Sequence, residues 1–405
     1  MVRSARIHRL VREAATFGTR AESVRLDWET VVRRQREIVQ AVRPAPESLT
    51  KTGAKVCLGE ARFTDPHTVE VNGAAIHGEK IVIGAGSEPI VPRIEGRELA
   101  ITSDQLLFLP EFPAELTLVG AGAIGLEMAS AFADLGARVT VVGQESEILP
   151  MFDADVAAYI RKLLEAKGVT VHCDSTVTRL TGRPGAVVTR IEESAGPIEV
   201  RSAQVCLAVG RRFNAGRLGA DRIGLELAGP GLKVTPYLRT SLPHIYAAGD
   251  AAGTQMLTPV AAYEGRLAAR NALQGDVEAA DYSVVPQTIF TTPEIGKVGI
   301  THRDALARGI RCHVSTHDLR GASNGRATGE DGGYLKLVFD GPTERLLGVQ
   351  MVSYAAAELI QLAALAVRTG ATADTLGSLL SIHPSHGERF LKVAAHDHHE
   401  VCEVA

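Results

Sequence analysis

Several things are scarce in this chain, and each scarcity removes a class of function. The five cysteines (Cys57, Cys173, Cys206, Cys312 and Cys402) are widely scattered, and none forms a CxxC or CxxxxC pair. That spacing supports neither a secreted disulfide framework nor an ordinary zinc site, and a reducing, cytoplasmic compartment fits it best. No apolar run approaches the ~20 residues that span a bilayer. A formal net charge of -4 is small for 405 residues, so neither nucleic acid nor an anionic membrane is an expected partner. Aromatics make up only 4% and apolar residues 45%, the composition of an ordinary globular protein. Of 43 basic residues only nine are lysine, which reads as compositional bias. The length exceeds one core and implies two or three domains.

What is present is a sequence of punctuated elements. Met1 to Arg43 reads as helical, broken between Thr16 and Ser23 and ended by Pro44 and Pro46. The Arg-rich start (Arg3, Arg6, Arg9, Arg12) suits a surface helix or a transit peptide; we take the helix. Short strands are expected at Lys55–Leu58, Thr68–Val71 and Lys80–Ile83, with Asn72-Gly73 as a hairpin turn. From Glu115 onward strands alternate with helices, notably Asp155–Lys167 and the strand Thr170–His172, which implies a parallel sheet with right-handed crossovers. A strand at Ile245–Ala248 leads into a helix from Thr258 to Leu273. The last portion mixes strands (Tyr334–Phe339, Leu347–Val352) with helices (Ala356–Thr369, Ala373–Leu380).

The strongest local signal is Leu116-Thr117-Leu118-Val119-Gly120-Ala121-Gly122-Ala123-Ile124-Gly125-Leu126-Glu127. An apolar strand runs into GxGxxG and then into an apolar-faced helix, with a second strand at Ala137–Val142. Gly120 serves the tight turn, Gly122 lets the backbone approach a pyrophosphate, and Gly125 lets helix and strand pack closely. The helix N-terminus then offers free N–H groups to phosphate. Where an acidic residue would select NAD and an arginine NADP, the chain has Gly143-Gln144-Glu145-Ser146. NAD is slightly favoured there and both stay open.

Four further segments, read in order with this one, resemble a single family. Lys80–Pro89, carrying Gly84-Ala85-Gly86-Ser87-Glu88-Pro89, is similar to the "ATGSxP" strand and turn. Ala208-Val209-Gly210-Arg211-Arg212-Phe213-Asn214 resembles "VGRRPN". Thr240–Asp250, ending Tyr246-Ala247-Ala248-Gly249-Asp250, with Thr258-Pro259-Val260-Ala261 beyond it, looks like the second flavin motif. His383-Pro384-Ser385-His386-Gly387-Glu388 resembles "HPTxSE". These are the marks of the pyridine nucleotide-disulfide oxidoreductases, the family of dihydrolipoamide dehydrogenase and mercuric reductase.

The resemblance implies an α/β protein with two Rossmann-like dinucleotide-binding domains and a C-terminal α+β dimerisation domain. Residues 1–100 and 231–282 would be the two parts of an incomplete FAD domain, 101–230 an inserted NAD(P) domain, and 283–405 the dimerisation domain. It implies FAD together with NAD or NADP, a homodimer, and as acceptor a small disulfide, a thiol-bound metal or another electron acceptor. Asp250 would bind the ribityl chain of FAD with Gly249 allowing close approach. Pro259 and Ala261 would lie along the flavin, while Gly86, in the strand and turn that leaves the flavin domain, and Gly210, in the stretch that ends the NAD domain, would be cofactor-binding glycines. Glu127 would sit near nicotinamide and flavin, where the family pairs it with a lysine. His383 and Glu388 would be the acid–base pair that serves the disulfide of the partner subunit.

The family's opening GxGxxG, its redox-active CxxxxC and the lysine after it are not found in these 405 residues. "MVRSARIHRLV" resembles the family's segment directly after those cysteines and that lysine, and we expect a start assigned at an internal Met of a longer protein. A non-catalytic remnant and a flavin NADH oxidase or diaphorase are the alternatives. The tail is expected to be a solvated, disordered end with no metal site; the alternative is that His398, His399 and Cys402, if helical, share a face and offer imidazole and thiolate to a soft metal. The other four cysteines are expected to be buried small residues.

Overall fold

The computed structural model describes residues 1–43, 46–395 and 400–402. It divides into two compact units. One comprises Met1–Gln35, Val91–Val209 and Ser283–Ala405; the other comprises Arg36–Ile90 and Gly210–Tyr282.

The first unit is built around a five-stranded parallel sheet. Its order is Ala100–Thr102, Gln204–Leu207, Glu115–Val119, Arg138–Val142, Thr170–His172. The central strand, Glu115–Val119, is buried on both faces, with Leu118 on one and Thr117 on the other both at 0% exposure. That explains its continuous apolar run. Helix Ala123–Asp134 returns the chain across the sheet, and Ala154–Ala166 follows. Helix Val2–Glu13 inserts Ala5 into the same core. Trp28, opening the helix Trp28–Val42, donates its indole N–H to the Leu109 carbonyl at 2.9 Å. A three-stranded antiparallel sheet (Thr176–Arg183, Ala186–Glu192, Ile198–Ser202) is inserted before the last parallel strand. Beyond Ser283 a six-stranded antiparallel sheet is backed by helix Ala356–Thr369. Asp153, 4% exposed, ties this sheet to the parallel one: it accepts from the N–H groups of His302 and Arg303 at 3.1 Å each, and lies 3.2 Å from the Lys336 ammonium.

The second unit carries a β-meander, Ala61–Asp65, Thr68–Val71 and Ala74–His77. Its second turn is Asn72-Gly73, with φ of 52° and 79°, the left-handed pair a tight hairpin requires. Ile81–Ile83 pairs in parallel with Ile245–Ala247, and helix Thr258–Gln274 follows.

Three expectations change. Lys55–Leu58 forms no strand; Leu58 is 71% exposed, and the pairing edge is instead Ala61–Asp65, whose Phe63 alone turns inward. Helix Ala373–Gly377 ends three residues earlier than expected, and a further helix spans His386–Ala395. Cys206 and Cys312 are buried as expected and Cys173 is half-buried, but Cys57 is exposed. Burial pushes the Cys206 thiol up to about 12. Among the described residues no helix is long and apolar enough to cross a membrane.

Candidate functional site

The glycine turn of the first unit shows three glycines with three different demands. Gly120 has φ 122°, and a Cβ there would stand 2.3 Å from the Ala208 carbonyl oxygen. At Gly125 a Cβ would stand 2.0 Å from the Gly120 carbonyl oxygen, so only glycine lets the helix approach its strand. Gly122 faces open space, with nothing within 4 Å of its would-be Cβ. It is the N-cap of Ala123–Asp134 and supplies no side-chain cap. The N–H groups of that first turn have no intrahelical acceptor, and no acidic side chain sits there to compete for an anion. The turn therefore fits a pyrophosphate. Glu127, one helical turn on, is half-buried and accepts the Phe290 N–H at 2.9 Å. Burial raises its carboxyl above the usual range, against the opposing pull of that N–H. Among the described residues no lysine or arginine pairs with it.

The second unit gathers the other glycines around Asp250. Gly249 sits at φ 66°, and a Cβ there would lie 2.9 Å from Ala261 Cβ. Its N–H donates to Glu264 Oε2 at 2.6 Å. Glu264 is fully buried and also accepts from Thr254 and from the Tyr282 hydroxyl, the latter at 2.6 Å. Burial, then Glu264, pushes the Tyr282 phenol well up. Asp250 Oδ2 accepts from Ser87 Oγ at 2.6 Å, and Ser87 Oγ accepts from Arg211 Nε at 2.9 Å. That relay fixes the carboxylate while leaving Oδ1 without a partner among the described residues, which fits a polyol hydroxyl. Gly86 has φ 69° and open space at its Cβ position, and the Gly210 carbonyl accepts from the Ile90 N–H at 2.9 Å. A cavity of about 330 Å³ lies beside them, lined among others by Gly86, Ser87, Phe213, Asn214 and Arg217. Pro259 opens helix Thr258–Gln274 and Ala261 lies in its first turn. Ser87, Arg211, Glu264 and Tyr282 carry no signal in the sequence beyond their places in or near motifs.

The third constellation lies in the first unit. His383 Nδ1 meets both Glu388 oxygens, at 2.9 and 2.8 Å. The imidazole is 63% exposed while the carboxylate is 4% exposed. Lys392, one turn along the same helix, pairs with Glu388, and Ser385 Oγ accepts the Glu388 N–H at 3.0 Å. The Lys392 ammonium first, then His383, holds the Glu388 carboxyl down to about 2. A carboxylate on Nδ1 fixes the tautomer in which Nε2 is the free base. Leu380 and Ile382 beside it are 103% and 80% exposed. Among tail candidates, His398 and His399 lie outside the described residues. Glu400–Cys402 is a strand pairing with Cys312–Asp318, so the helical spacing invoked for Cys402 does not hold there. No group of three or more His, Cys, Asp or Glu able to hold a metal occurs among the described residues.

A glycine turn at a parallel strand's end, a second glycine-and-aspartate turn, and an exposed histidine on a buried glutamate are compatible with an α/β oxidoreductase that works through dinucleotides. The comparisons narrow this. The sequence profile described as pyridine nucleotide-disulphide oxidoreductase matches residues 7–265, and the dimerisation domain of the same family matches 285–394. The chain belongs to the pyridine nucleotide-disulphide oxidoreductase family, whose members are FAD- and NAD(P)H-dependent enzymes. It is 33% identical over 383 residues to a dihydrolipoyl dehydrogenase of Halobacterium salinarum, covering 92% of this chain and 79% of that one. A mercuric reductase of Lysinibacillus sphaericus is 31% identical over 402 residues, 98% of this chain and 73% of that one. The solved structure of the HOCl-induced flavoprotein disulfide reductase RclA from Escherichia coli superposes with a TM-score of 0.84 at 26% identity, covering 97% of this chain and 88% of that one.

Proposed function

We propose that this chain is an FAD- and NAD(P)H-dependent oxidoreductase of the disulfide-reductase type, with an acceptor of the dihydrolipoyl dehydrogenase or mercuric reductase kind: a small disulfide or a thiol-bound metal. The observation that carries the reading is the His383–Glu388 pair, a buried carboxylate holding an exposed imidazole by Nδ1. That arrangement leaves Nε2 to take a proton from, and return it to, a thiol outside the protomer's own fold. Bare leucine and isoleucine around it (Leu380, Ile382) support a homodimer that covers this face, with the sulfur that Nε2 serves coming from the bound disulfide or thiol acceptor. Gly120, Gly122 and Gly125 together shape the turn that binds the pyrophosphate of the nicotinamide dinucleotide, with Gly122 facing it. Asp250 with Gly249 holds the ribityl chain of FAD, Pro259 and Ala261 flank the flavin, and Gly86 and Gly210 shape the adjoining turns. Bound FAD would supply the two-electron relay between nicotinamide and acceptor. Residues 1–100 with 231–282 form the FAD domain in this reading, 101–230 the NAD(P) domain and 283–405 the dimerisation domain. The scattered thiols support a cytoplasmic setting.

A second reading, an NADH oxidase or diaphorase, is favoured by Glu127 having no basic partner among the described residues and by the lack of CxxxxC within the 405. One experiment separates the two. The full chain, loaded with FAD and reduced with NADH under anaerobic conditions, is offered lipoamide, a thiol complex of Hg(II), and a quinone in turn. Reoxidation by lipoamide or Hg(II), slowed at least tenfold by His383→Gln, supports the first reading. Reoxidation by quinone alone, indifferent to His383→Gln, supports the second. A chain that takes up neither FAD nor NADH is a non-catalytic remnant.

A further inference from the structure

The end of strand Arg138–Val142 bears on which nicotinamide dinucleotide can bind, an inference that rests on the dinucleotide reading above. Gly143 closes that strand, where a carboxylate would hold a ribose 2′-hydroxyl. A Cβ on Gly143 would stand 2.7 Å from the Cβ of Ala121, the second residue of the glycine turn. The backbone has little freedom to retreat. The Gly143 N–H donates to the His172 carbonyl at 2.8 Å, and its own carbonyl accepts from the Ser175 N–H at 2.9 Å. Glu145 is tied in the same way, its carbonyl accepting from the Asp174 N–H at 2.9 Å. Ala121 thus empties position 143 of any side chain.

What surrounds the emptied position is acidic. Glu145, Glu147 and Asp174 are exposed along the rim. Glu193 lies just inside, on His172 Nδ1 at 2.6 Å and Ser175 Oγ at 3.2 Å. The thiol of Cys173 reports this field: burial raises it first, Arg161 opposes, and Asp174 and Glu147 raise it further. Arg161 is committed to Glu165 at 2.8 Å and to the Val171 carbonyl at 3.3 Å, and His172 is committed to Glu193.

We propose that this site selects NAD(H) over NADP(H) by excluding the 2′-phosphate. The dianion would meet Glu145, Glu147 and Asp174 with no uncommitted guanidinium among the groups just named, while the 2′-hydroxyl of NAD carries no charge to be repelled. Selection here comes from charge repulsion at the rim, with Ala121 keeping position 143 bare, and not from a carboxylate that grips the ribose from that position.

Calorimetric titration of the full chain with NADH and with NADPH tests this. NADH should bind at least tenfold more tightly, and the ratio should narrow as salt rises, because exposed charges are screened. The double variant Gln144→Arg/Glu145→Arg should move the ratio at least tenfold towards NADPH. Gly143→Glu should lose both ligands, and Ala121→Gly/Gly143→Glu should recover NADH alone. NADPH binding as tightly as NADH, or a ratio that neither salt nor the arginine pair moves, overturns the proposal while leaving the dinucleotide site in place. Binding of neither ligand overturns the site reading and the proposal together. Should Gly143→Glu fail to fold, the Gln144→Arg/Glu145→Arg ratio still decides.

Discussion

The three glycines of the turn after Val119 allow fold and function to be pulled apart by one methyl group each. At Gly122 the backbone is extended, at φ -85° and ψ -171°, and open space receives the new methyl. Alanine restricts the unfolded chain, a gain of ~0.4–1 kcal/mol, but is a poorer N-cap than glycine by roughly 0.5–1 kcal/mol. The two nearly cancel, so Gly122→Ala should unfold within about 1 kcal/mol of the parent. The methyl nonetheless occupies the space through which the backbone would approach the pyrophosphate. We expect NADH affinity to fall at least tenfold, about 1.4 kcal/mol. Gly125→Ala is the opposite case. Its methyl would stand 2.0 Å from the Gly120 oxygen, where ordinary contact is ~3.5 Å, so the helix must lift off its strand. Overpacking of that kind costs ~1–3 kcal/mol, and NADH binding should be lost with it. Trp28 is the only tryptophan and packs on Phe132 of that helix at a ring separation of 5.8 Å. Its fluorescence in a urea titration therefore reports the unit in question, and calorimetry supplies the affinity. A Gly122→Ala protein that binds NADH like the parent would refute the argument, as would a Gly125→Ala protein with unchanged stability.

The buried charges give three more tests. Asp153→Ala should destabilise the first unit by ~1–3 kcal/mol in urea unfolding, because the N–H groups of His302 and Arg303 and the Gln350 amide lose a buried acceptor, while the Lys336 ammonium keeps Asp155 at 2.8 Å; an unchanged unfolding midpoint would contradict this. Glu388 has its folded pKa depressed to about 2 from 4.5, so its contribution is complete above the unfolded value and disappears as pH falls through the folded one. The gap in melting temperature between the parent and Glu388→Gln should hold steady above pH ~5 and close towards pH ~2; a gap independent of pH would contradict the pairing. Tyr282→Phe removes a donor to the fully buried Glu264 and should cost about 1.5–3 kcal/mol in the second unit, read by hydrogen exchange at the Gly249 amide.

The sequence made legible what depends on neighbours along the chain. The glycine spacing of Gly120, Gly122 and Gly125 announces its turn because backbone sterics within six residues demand it. His383 and Glu388 are five residues apart and meet across one helix start. Asn72-Gly73 announced its hairpin for the same reason. What depended on distant partners was hidden. Ser87, Asp250 and Arg211 form one relay from positions up to 163 residues apart. Nothing along the chain marks Glu264 as buried, yet it is fully enclosed, because its partners arrive from Gly249, Thr254 and Tyr282. Ala61–Asp65 lacked the alternation of a strand, since only Phe63 turns inward on an otherwise solvated edge.

Transfer of electrons from a nicotinamide dinucleotide to a flavin on this chain can be read from the visible spectrum of the purified chain after incubation with FAD and removal of excess. A retained flavin band that NADH bleaches in the absence of oxygen is the expected result. No retained band, or a band that NADH leaves unchanged, would contradict it.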